Sequence, residues 1–540
     1  MIIRIPCRAL FAAAFSAALV ACAPRAPAVP TPVPTLPVVT TPAPVPAANA
    51  ALPPVPHVTG PLEIKVVYPP TGQLIQSKDS NFIFGSVGNG DAALTINGVL
   101  TPVWPNGSFM GWLPNPPREM SRYDLVAATA TDTARLSHPI KLAPLPSATP
   151  ATPASPDTAP RITPGQYSAL VGQATVANDT DRVVTGYAPT DNLDRWFLLP
   201  GTIVRVDSVK GTYAFVHLDS QRVVRVEKPE INLATALPPP PARTAKAFEV
   251  VPAGEWTDII IHASNEPPYL IEETGSGLTL TFYGTAGTPQ PAMNLPATSY
   301  VSSVASAISG PAMQYTISLR GPVYGFQRLW QAGIGDGVFT LRVRRPPSID
   351  PANPLRGLTI AVDAGHPPAG ARGPTGLWEP EVTLPVAFRV QALLAARGVN
   401  VLMTRTTPEP VDLNLRPTMA RRANAHAIVS IHLNAVPDGM NPFVAQGTTT
   451  YHFWGHSEPL ASATHKALLA RLGLADKGVK RANFALVRAS WMPAILAEGA
   501  FIIMPDQEAA LRTPEYQERY ALAIVEGLES YFRSLSQSPH

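Results

Sequence analysis

Two histidines and two glutamates stand at positions where a polar side chain needs an explanation. His366 ends the apolar run "LTIAVDAGH", and His432 lies inside the run "AIVSIHLNA". Glu498 lies inside "AILAEGAF", where a carboxylate is costly to bury unless it is paired, protonated or bound to a metal. Glu379 opens a long helical pattern. Two imidazoles and one carboxylate form the ligand set of a catalytic zinc, and the second carboxylate can then act as acid or base.

Each of these residues, taken alone, also has a common structural explanation. A single histidine at a strand end is more often structural than a ligand, and a glutamate at a helix start usually interacts with the helix dipole. Glu498 could simply pair with an arginine such as Arg416. A rival metal pair, His452 and His456 in "YHFWGHS", has helical spacing. However, the β-branched "TTT" before it and the glycine within it predict a strand that runs into a loop, so these two histidines would not share a face.

The elements that must position the four residues follow a regular alternation after residue 355. Strands are predicted for "GLTIAVDAG", "VNVLMTRT", "AHAIVSIHLNA", "GTTTYHFW" and "PAILAEGAF", and helices for residues 380–397, 412–425, 457–472 and 515–534. Pro385 is expected to kink or delay the first helix. The alternation predicts an α/β domain with a central mixed sheet and helices on both faces. In such domains, sites lie beyond the strand ends, where these residues stand.

The chain before this domain reads as β-rich modules separated by proline-rich spacers. The sequence has 540 residues, 63 of them proline, and the prolines are clustered, which predicts several folded units with stiff connections. The predicted segments are a signal peptide (1–21), a Pro-rich tether (22–60), an immunoglobulin-like β-sandwich (61–143, the first β unit), a linker (144–164), a small SH3-like β module (165–232, the second β unit), a linker (233–246), a further β-rich module (247–349, the third β unit) and the C-terminal α/β domain (350–540). None of the β units carries a clustered catalytic set, which favours scaffold or wall-binding modules.

The N-terminus predicts export and a lipid anchor. Arg4 and Arg8 precede an apolar stretch that is too short to span a bilayer, as in a secretory signal. It ends in "LVAC", which resembles the lipobox of bacterial lipoproteins, in which the cysteine, here Cys22, is lipidated. The alternative is an ordinary signal peptide with a chance cysteine. The only other cysteine lies inside the signal, so the mature chain would have no free thiol. The residue after the cysteine is Ala23 rather than aspartate. In Gram-negative lipoproteins this favours delivery to the outer membrane, so we expect the protein on its periplasmic face.

Composition and missing motifs exclude other functions. The net charge is +3 and no block of five lysines or arginines occurs, so nucleic acid is not an expected partner. The chain contains no His-Glu-x-x-His, no glycine-rich phosphate loop and no Gly-x-Ser-x-Gly elbow. Hydrolase classes that depend on these motifs therefore lack support.

The order of the C-terminal motifs resembles the zinc-dependent N-acetylmuramoyl-L-alanine amidases of the type-3 class. The matching pieces are "IAVDAGH", "GLWE", "VLMTR", "RANAHAIVSIHLNA", "GVKRANFALVRASWMPAILAEGAF" and "GLESYF", which together cover about residues 355–535. The resemblance implies that His366, Glu379 and His432 are the ligands of one zinc ion. It also implies that Glu498 is the catalytic acid/base. Asp363 and Arg405 match frequently seen neighbours and are candidate supporting residues.

The resemblance implies hydrolysis of the amide between N-acetylmuramic acid and L-alanine in peptidoglycan. Three residues depart from the family pattern: Pro367 and Pro368 replace glycines, and Met504 stands where asparagine is common. Pro367 is also expected to push His366 toward an extended conformation. The alternative function is a non-catalytic, peptidoglycan-binding envelope lipoprotein with a degenerate amidase domain.

Overall fold

A computed structural model describes residues 51–144, 171–174, 183–190, 194–234, 238–275, 277–333 and 336–536. The predicted signal peptide, Cys22, the tether up to residue 50 and most of the linker 144–164 lie outside the described residues. Among the helices of the described part, none has the length and apolar character needed to cross a bilayer.

The first β unit consists of two main sheets around one core. The strands are β1 (Lys65–Tyr68), β2 (Leu74–Ile75), β3 (Ser80–Ser86), β4 (Ala93–Ile96), β5 (Val99–Thr101), β6 (Ser108–Pro114), β7 (Arg122–Ala128), β8 (Thr133–Pro139) and β9 (Lys141–Leu142). One sheet has the order β1-β3-β6 and the other β5-β4-β7-β8, and Ile83, Phe109 and Tyr123 are among the side chains they enclose. The immunoglobulin-like assignment stays a prediction.

The second and third β units share a sheet. Their strands are β10 (Val171–Ala174), β11 (Val184–Tyr187), β12 (Asp194–Leu198), β13 (Ile203–Lys210), β14 (Tyr213–His217), β15 (Val223–Glu227), β16 (Ile231–Ala234), β17 (Arg243–Ala253), β18 (Trp256–Ala263), β19 (Tyr269–Thr274), β20 (Gly277–Phe282), β21 (Thr285–Gly287), β22 (Met293–Asn294), β23 (Val301–Ser309), β24 (Ala312–Leu319), β25 (Gly325–Ala332) and β26 (Gly337–Arg344). β12 pairs with β19 through Phe197 and Tyr269, which joins both units in a twelve-stranded sheet. β16 and β17 occupy both ends of the predicted linker 233–246. The SH3-like assignment stays a prediction.

The C-terminal domain has the predicted mixed sheet. Its strands are β27 (Thr359–Ala364), β28 (Asn400–Met403), β29 (Ala427–Asn434), β30 (Thr448–His452), β31 (Asp476–Arg481) and β32 (Ala494–Phe501), and its helices are α1 (Glu379–Ala395), α2 (Leu415–Arg422), α3 (Pro442–Ala445), α4 (Glu458–Leu472), α5 (Pro505–Leu511) and α6 (Pro514–Leu535). The strand order is β28-β27-β29-β32-β30-β31. The first four strands are parallel, whereas β30 runs antiparallel to β32. The carboxyl ends of β27, β29 and β32 therefore meet at one edge.

Both faces of this sheet are covered. Alternate strand residues, such as Val362 and Val429, pack on one face against α1, α4 and α6. Ala361 and Ile428 point to the opposite face, where α2 and Trp256 of the third β unit cover them. Pro385 was expected to kink or delay α1. The helix begins at Glu379 and continues past the proline, so it is not delayed, and the kink stays a prediction.

A buried arginine fastens the third β unit to the C-terminal domain. The Arg344 side chain is 0% exposed and pairs with Glu255 at 3.1 Å. Its guanidinium also donates to the backbone carbonyls of Asn424, Ala425 and Trp491 in the C-terminal domain, at 3.1, 2.6 and 3.3 Å. The C-terminal domain thus depends on a neighbouring unit to cover one of its faces.

Replacing Arg344 with Met should destabilise the full chain by about 3–5 kcal/mol, because it leaves three carbonyls without their donor, at about 1–3 kcal/mol each, and removes one partner of the partly exposed Glu255. Thermal unfolding measures the loss. The control is Arg342→Met on the same strand, whose ion pair with Asp258 (2.7 Å) is partly exposed and lies within the β unit. We expect the control to cost no more than about 1 kcal/mol. Equal losses in the two variants would contradict the interpretation of the interface.

The first β unit also contacts the C-terminal domain, next to the strand that carries His432. Asp438, in the loop after β29, accepts hydrogen bonds from the Tyr68 hydroxyl, the Gln76 backbone N–H and the Asn81 side-chain amide, the last two at 3.1 Å. The first β unit therefore fixes a loop that leaves the predicted site.

Candidate metal centre

The sheet edge brings the predicted residues together. His366 follows β27 by two residues, and His432 lies near the end of β29. Glu498 lies in β32, directly opposite His432 in the register of the two parallel strands. Glu379 is the first residue of α1. The sheet topology is what makes these four positions neighbours, since they are distant in sequence.

Three of these side chains converge on one point. The ligand atoms of His366, Glu379 and His432 lie within 4.8 Å of one another. His366 Nε2 is 3.3 Å from Glu379 Oε2, and His432 Nδ1 is 3.1 Å from Glu379 Oε1. Zinc–ligand bonds of about 2.0–2.1 Å in a tetrahedron place ligand atoms about 3.3 Å apart, so the three residues fit zinc. The His366 side chain is 27% exposed, which leaves the site open to solvent.

Glu379 is held in place by backbone donors. The N–H of Ala371 donates to Oε2 and the N–H of Leu433 to Oε1, both at 2.9 Å. Burial opposes ionisation of Glu379, but the hydrogen bond from His432, the charges of both histidines and the Leu433 N–H outweigh it. The pKa of Glu379 therefore lies below its ordinary value. The carboxylate is ionised and oriented, as a metal ligand requires.

The two histidines have opposite pKa shifts. Burial lowers the pKa of His366, and the charge of Glu379 only partly offsets it. Burial also opposes the protonation of His432, but its hydrogen bond to Glu379 and the negative charges of Glu498 and Glu379 outweigh burial, so the pKa of His432 is raised. A metal bound here must therefore compete with a proton on His432.

The backbone of His366 contradicts the expected extended conformation. Its φ is +57°, in the left-handed region that non-glycine residues rarely adopt. Arg416 explains how the loop is held, because its guanidinium donates to the carbonyls of His366 and Pro367 at 3.2 and 3.1 Å. The local preference of a residue before proline is overridden here by tertiary hydrogen bonds.

Asp363 is a fully buried acceptor beneath the first ligand. It pairs with Arg416 at 3.0 Å and accepts hydrogen bonds from the hydroxyls of Thr404 and Ser430. Arg416 is therefore the partner of Asp363, and the alternative in which it pairs with Glu498 is wrong. Through Arg416, Asp363 supports the loop that carries His366.

Arg405 links the elements that carry the first two ligands. Its guanidinium donates to the carbonyls of Ala364 and Gly365 after β27, at 2.8 and 3.2 Å. It also donates to the carbonyl of Pro380 and the hydroxyl of Thr383 in α1, at 3.3 and 3.0 Å. These contacts fit a supporting role, which remains a prediction for both Asp363 and Arg405.

Glu498 has the surroundings of a general base. Its Oε2 is buried and has no hydrogen-bond partner among the described residues. Burial raises the pKa of Glu498 to about 8, with a further rise from Glu379 and an opposing effect of His432. A catalytic base works best when its pKa lies near the operating pH.

The rival pair His452 and His456 has other partners. His452 ends β30 and its Nδ1 lies 3.1 Å from the Trp454 carbonyl. His456 lies in a short 3₁₀ turn, and its Nδ1 is 2.8 Å from Glu273 of the third β unit. The prediction that the two histidines belong to a strand and the loop after it is confirmed.

Sequence reasoning missed a buried glutamate that anchors the loop before Glu379. Glu508 accepts hydrogen bonds from the backbone N–H groups of Thr375 and Leu377, the latter at 3.1 Å. Gly373 is needed for this close approach, because a Cβ there would lie 2.5 Å from the Glu508 carboxyl carbon. Glu508 reads as an ordinary helix residue in the sequence, so no signal could have identified it.

Comparison with known proteins agrees with the geometry. Residues 360–530 match the family profile of the N-acetylmuramoyl-L-alanine amidases. The amidase LytC of Bacillus subtilis is 37% identical over 187 residues, which cover 34% of this chain and only 37% of LytC. The germination-specific N-acetylmuramoyl-L-alanine amidase of B. subtilis is 31% identical over 203 residues, which cover 34% of this chain and 84% of that protein.

Among solved structures, the amidase AmiC2 of Nostoc punctiforme is 34% identical, with a TM-score of 0.31, and the match covers 32% of this chain and 96% of AmiC2. The similarity to these proteins is confined to about a third of the chain, the C-terminal domain. Through that domain, the chain belongs to the N-acetylmuramoyl-L-alanine amidase family.

Proposed function

We propose that the protein is a zinc-dependent enzyme that hydrolyses the amide between N-acetylmuramic acid and the L-alanine of peptidoglycan stem peptides. The observation that carries this proposal is the convergence of His366, Glu379 and His432 beside Glu498, a buried carboxylate oxygen without a partner among the described residues. A structural ion pair would satisfy such an oxygen, whereas a catalytic base must leave it available for substrate or water.

The chain's own residues supply binding and proton transfer. His366, Glu379 and His432 would hold the zinc, which supplies Lewis acidity that lowers the pKa of a water and polarises the scissile carbonyl. Glu498 takes the proton of the attacking water and delivers it to the amine of L-alanine as the amide bond breaks. The buried position of Glu498 raises its proton affinity, which favours uptake of the water's proton. With a pKa near the operating pH, the group can still return that proton to the amine.

The substrate implies a site of action outside the cytoplasm. We propose that the protein works in the cell envelope, anchored through a lipid on Cys22 and facing peptidoglycan from the periplasmic side of the outer membrane. The "LVAC" run and the Pro-rich segment 22–60 support an anchor followed by a tether. Cell-wall remodelling or daughter-cell separation would be the corresponding role.

The test is mass analysis of the products formed from purified peptidoglycan by the full chain, with and without a chelator. Hydrolysis should release stem peptides with a free L-alanine amine and leave glycan strands with a free lactyl carboxylate. A chelator should abolish the release, and added zinc should restore it. Binding to peptidoglycan without any released peptide would instead support the non-catalytic alternative. Release that a chelator leaves unchanged would exclude zinc.

A further inference from the structure

The β29–β32 ladder is interrupted just after the ligand and the base. His432 faces Glu498 across the two strands, but the next paired residues are Asn434 and Phe501. Leu433 therefore stands opposite two residues of β32, which is a β-bulge. A bulge interrupts the regular hydrogen bonds between strands, so another group has to hold the two chains at this point.

The hydroxyl of Tyr520 lies at this interruption. It is 2.7 Å from the carbonyl oxygen of Ala497 and 3.0 Å from that of His432, and it accepts the N–H of Gly499 at 3.0 Å. One phenol thus contacts the backbone of the ligand itself and of both residues that flank Glu498. Its proton is shared between two carbonyls, with the shorter contact to Ala497.

Close packing around the Tyr520 ring fixes its position. Tyr520 is 0% exposed and projects from α6. Gly499 makes room for it, because a Cβ at this residue would lie 2.4 Å from the Tyr520 Cζ atom. The missing side chain of Gly499 and the buried phenol are therefore complementary.

We propose that Tyr520 is a positioning residue that fixes the zinc ligand His432 relative to the acid/base Glu498. This inference rests on the proposed function. The phenol touches neither substrate nor metal. It acts by holding the ends of β29 and β32 at a fixed distance where the bulge interrupts their hydrogen bonds. An outer-shell contact of this kind typically changes metal affinity or activity by about 10–100-fold.

The test compares Tyr520→Phe with Tyr516→Phe in the full chain. Tyr516 lies one turn earlier on α6, is equally buried, and its hydroxyl bonds the Leu472 carbonyl at 3.1 Å, away from the site. Both variants lose one buried hydroxyl, but Tyr520 loses three backbone contacts and Tyr516 one, so the free energy of unfolding should fall more in Tyr520→Phe. Zinc affinity is measured by competition with a chromophoric chelator, and kcat and KM are measured on soluble muropeptides.

For Tyr520→Phe we expect zinc affinity and kcat each to fall about tenfold, with KM within about twofold of the wild type. Tyr516→Phe should leave all three within about twofold. Wild-type values in Tyr520→Phe, or the same losses in both variants, would overturn the positioning role, as would failure of Tyr520→Phe alone to fold. If the wild type cleaves nothing, the proposed function fails, while zinc affinity still tests Tyr520.

Discussion

Replacing Glu498 with Gln should lower the turnover of peptidoglycan at least about 100-fold, while zinc content stays at the wild-type level. The amide keeps the size of the side chain but cannot accept the water's proton, and general acid–base catalysis contributes about 10²–10⁴-fold. Zinc should remain because its predicted ligands are His366, Glu379 and His432. The measurements are the rate of stem-peptide release and the zinc content of the same preparation.

The control for this variant is Asp506→Asn, which also neutralises a partly buried carboxylate whose pKa is raised by burial. Asp506 lies in α5 and accepts the backbone N–H of Gln507 at 2.9 Å, so its variant should keep most of the activity. Activity near wild type in Glu498→Gln would remove Glu498 from the mechanism. Loss of zinc together with activity would make it a ligand.

Glu498→Gln also has a second readout that does not depend on metal, the pH dependence of folding stability. In the metal-free protein the pKa of Glu498 is raised from 4.5 to about 8, so the folded chain holds its proton more tightly than the unfolded chain. The stability that this proton provides is full below about pH 4.5 and is lost as the pH rises through about 8. The free energy of unfolding of metal-free Glu498→Gln should therefore rise relative to that of the metal-free wild type as pH increases. The relative gain between pH 4.5 and pH 8 should be at least about 1.4 kcal/mol, the equivalent of one pKa unit. A pH-independent difference would contradict the raised pKa.

The site was predictable because its residues break a pattern. A histidine and a glutamate inside the apolar runs of β29 and β32 are costly to bury unless they are paired, uncharged or bound to a metal. Parallel strands also place their carboxyl ends at one edge of the sheet. The positions of the four residues at element ends therefore predict that they lie close together. The sequence thus predicted the sheet of the C-terminal domain together with its site.

What the sequence could not provide depends on contacts that no periodicity encodes. Alternation of apolar and polar residues predicts strands but not their partners. The pairing of β12 with β19, which joins two β units, depends on contacts between residues far apart in the sequence. The φ of His366 is set by hydrogen bonds from Arg416 rather than by its neighbour Pro367. In the sequence, Tyr520 is simply an aromatic residue on the apolar face of α6. The importance of its hydroxyl depends on the β-bulge, which is a feature of strand register and cannot be read from the sequence.

Replacing Glu379 with Gln should weaken zinc binding by more than about 100-fold, beyond the 10–100-fold typical of outer-shell changes. The amide keeps the shape but loses the anionic charge, and its nitrogen end would face one of two backbone donors, Ala371 or Leu433. Activity should disappear with the metal. The control is Glu381→Gln on the same helix, where the exposed carboxylate accepts the N–H of Trp378 at 2.9 Å.

The pH dependence of zinc binding separates the ligand role of Glu379 from a general loss of structure. Burial opposes protonation of His432, but the hydrogen bond and charge of Glu379, with Glu498, raise its pKa. Zinc must displace that proton, so affinity should rise about tenfold per pH unit up to the pKa of His432 and then level off. In Glu379→Gln the levelling should move to lower pH, because the carboxylate that stabilises the imidazolium is gone. Glu381→Gln should follow the wild-type curve. Zinc affinity in Glu379→Gln equal to that of Glu381→Gln at every pH would show that Glu379 is not a ligand.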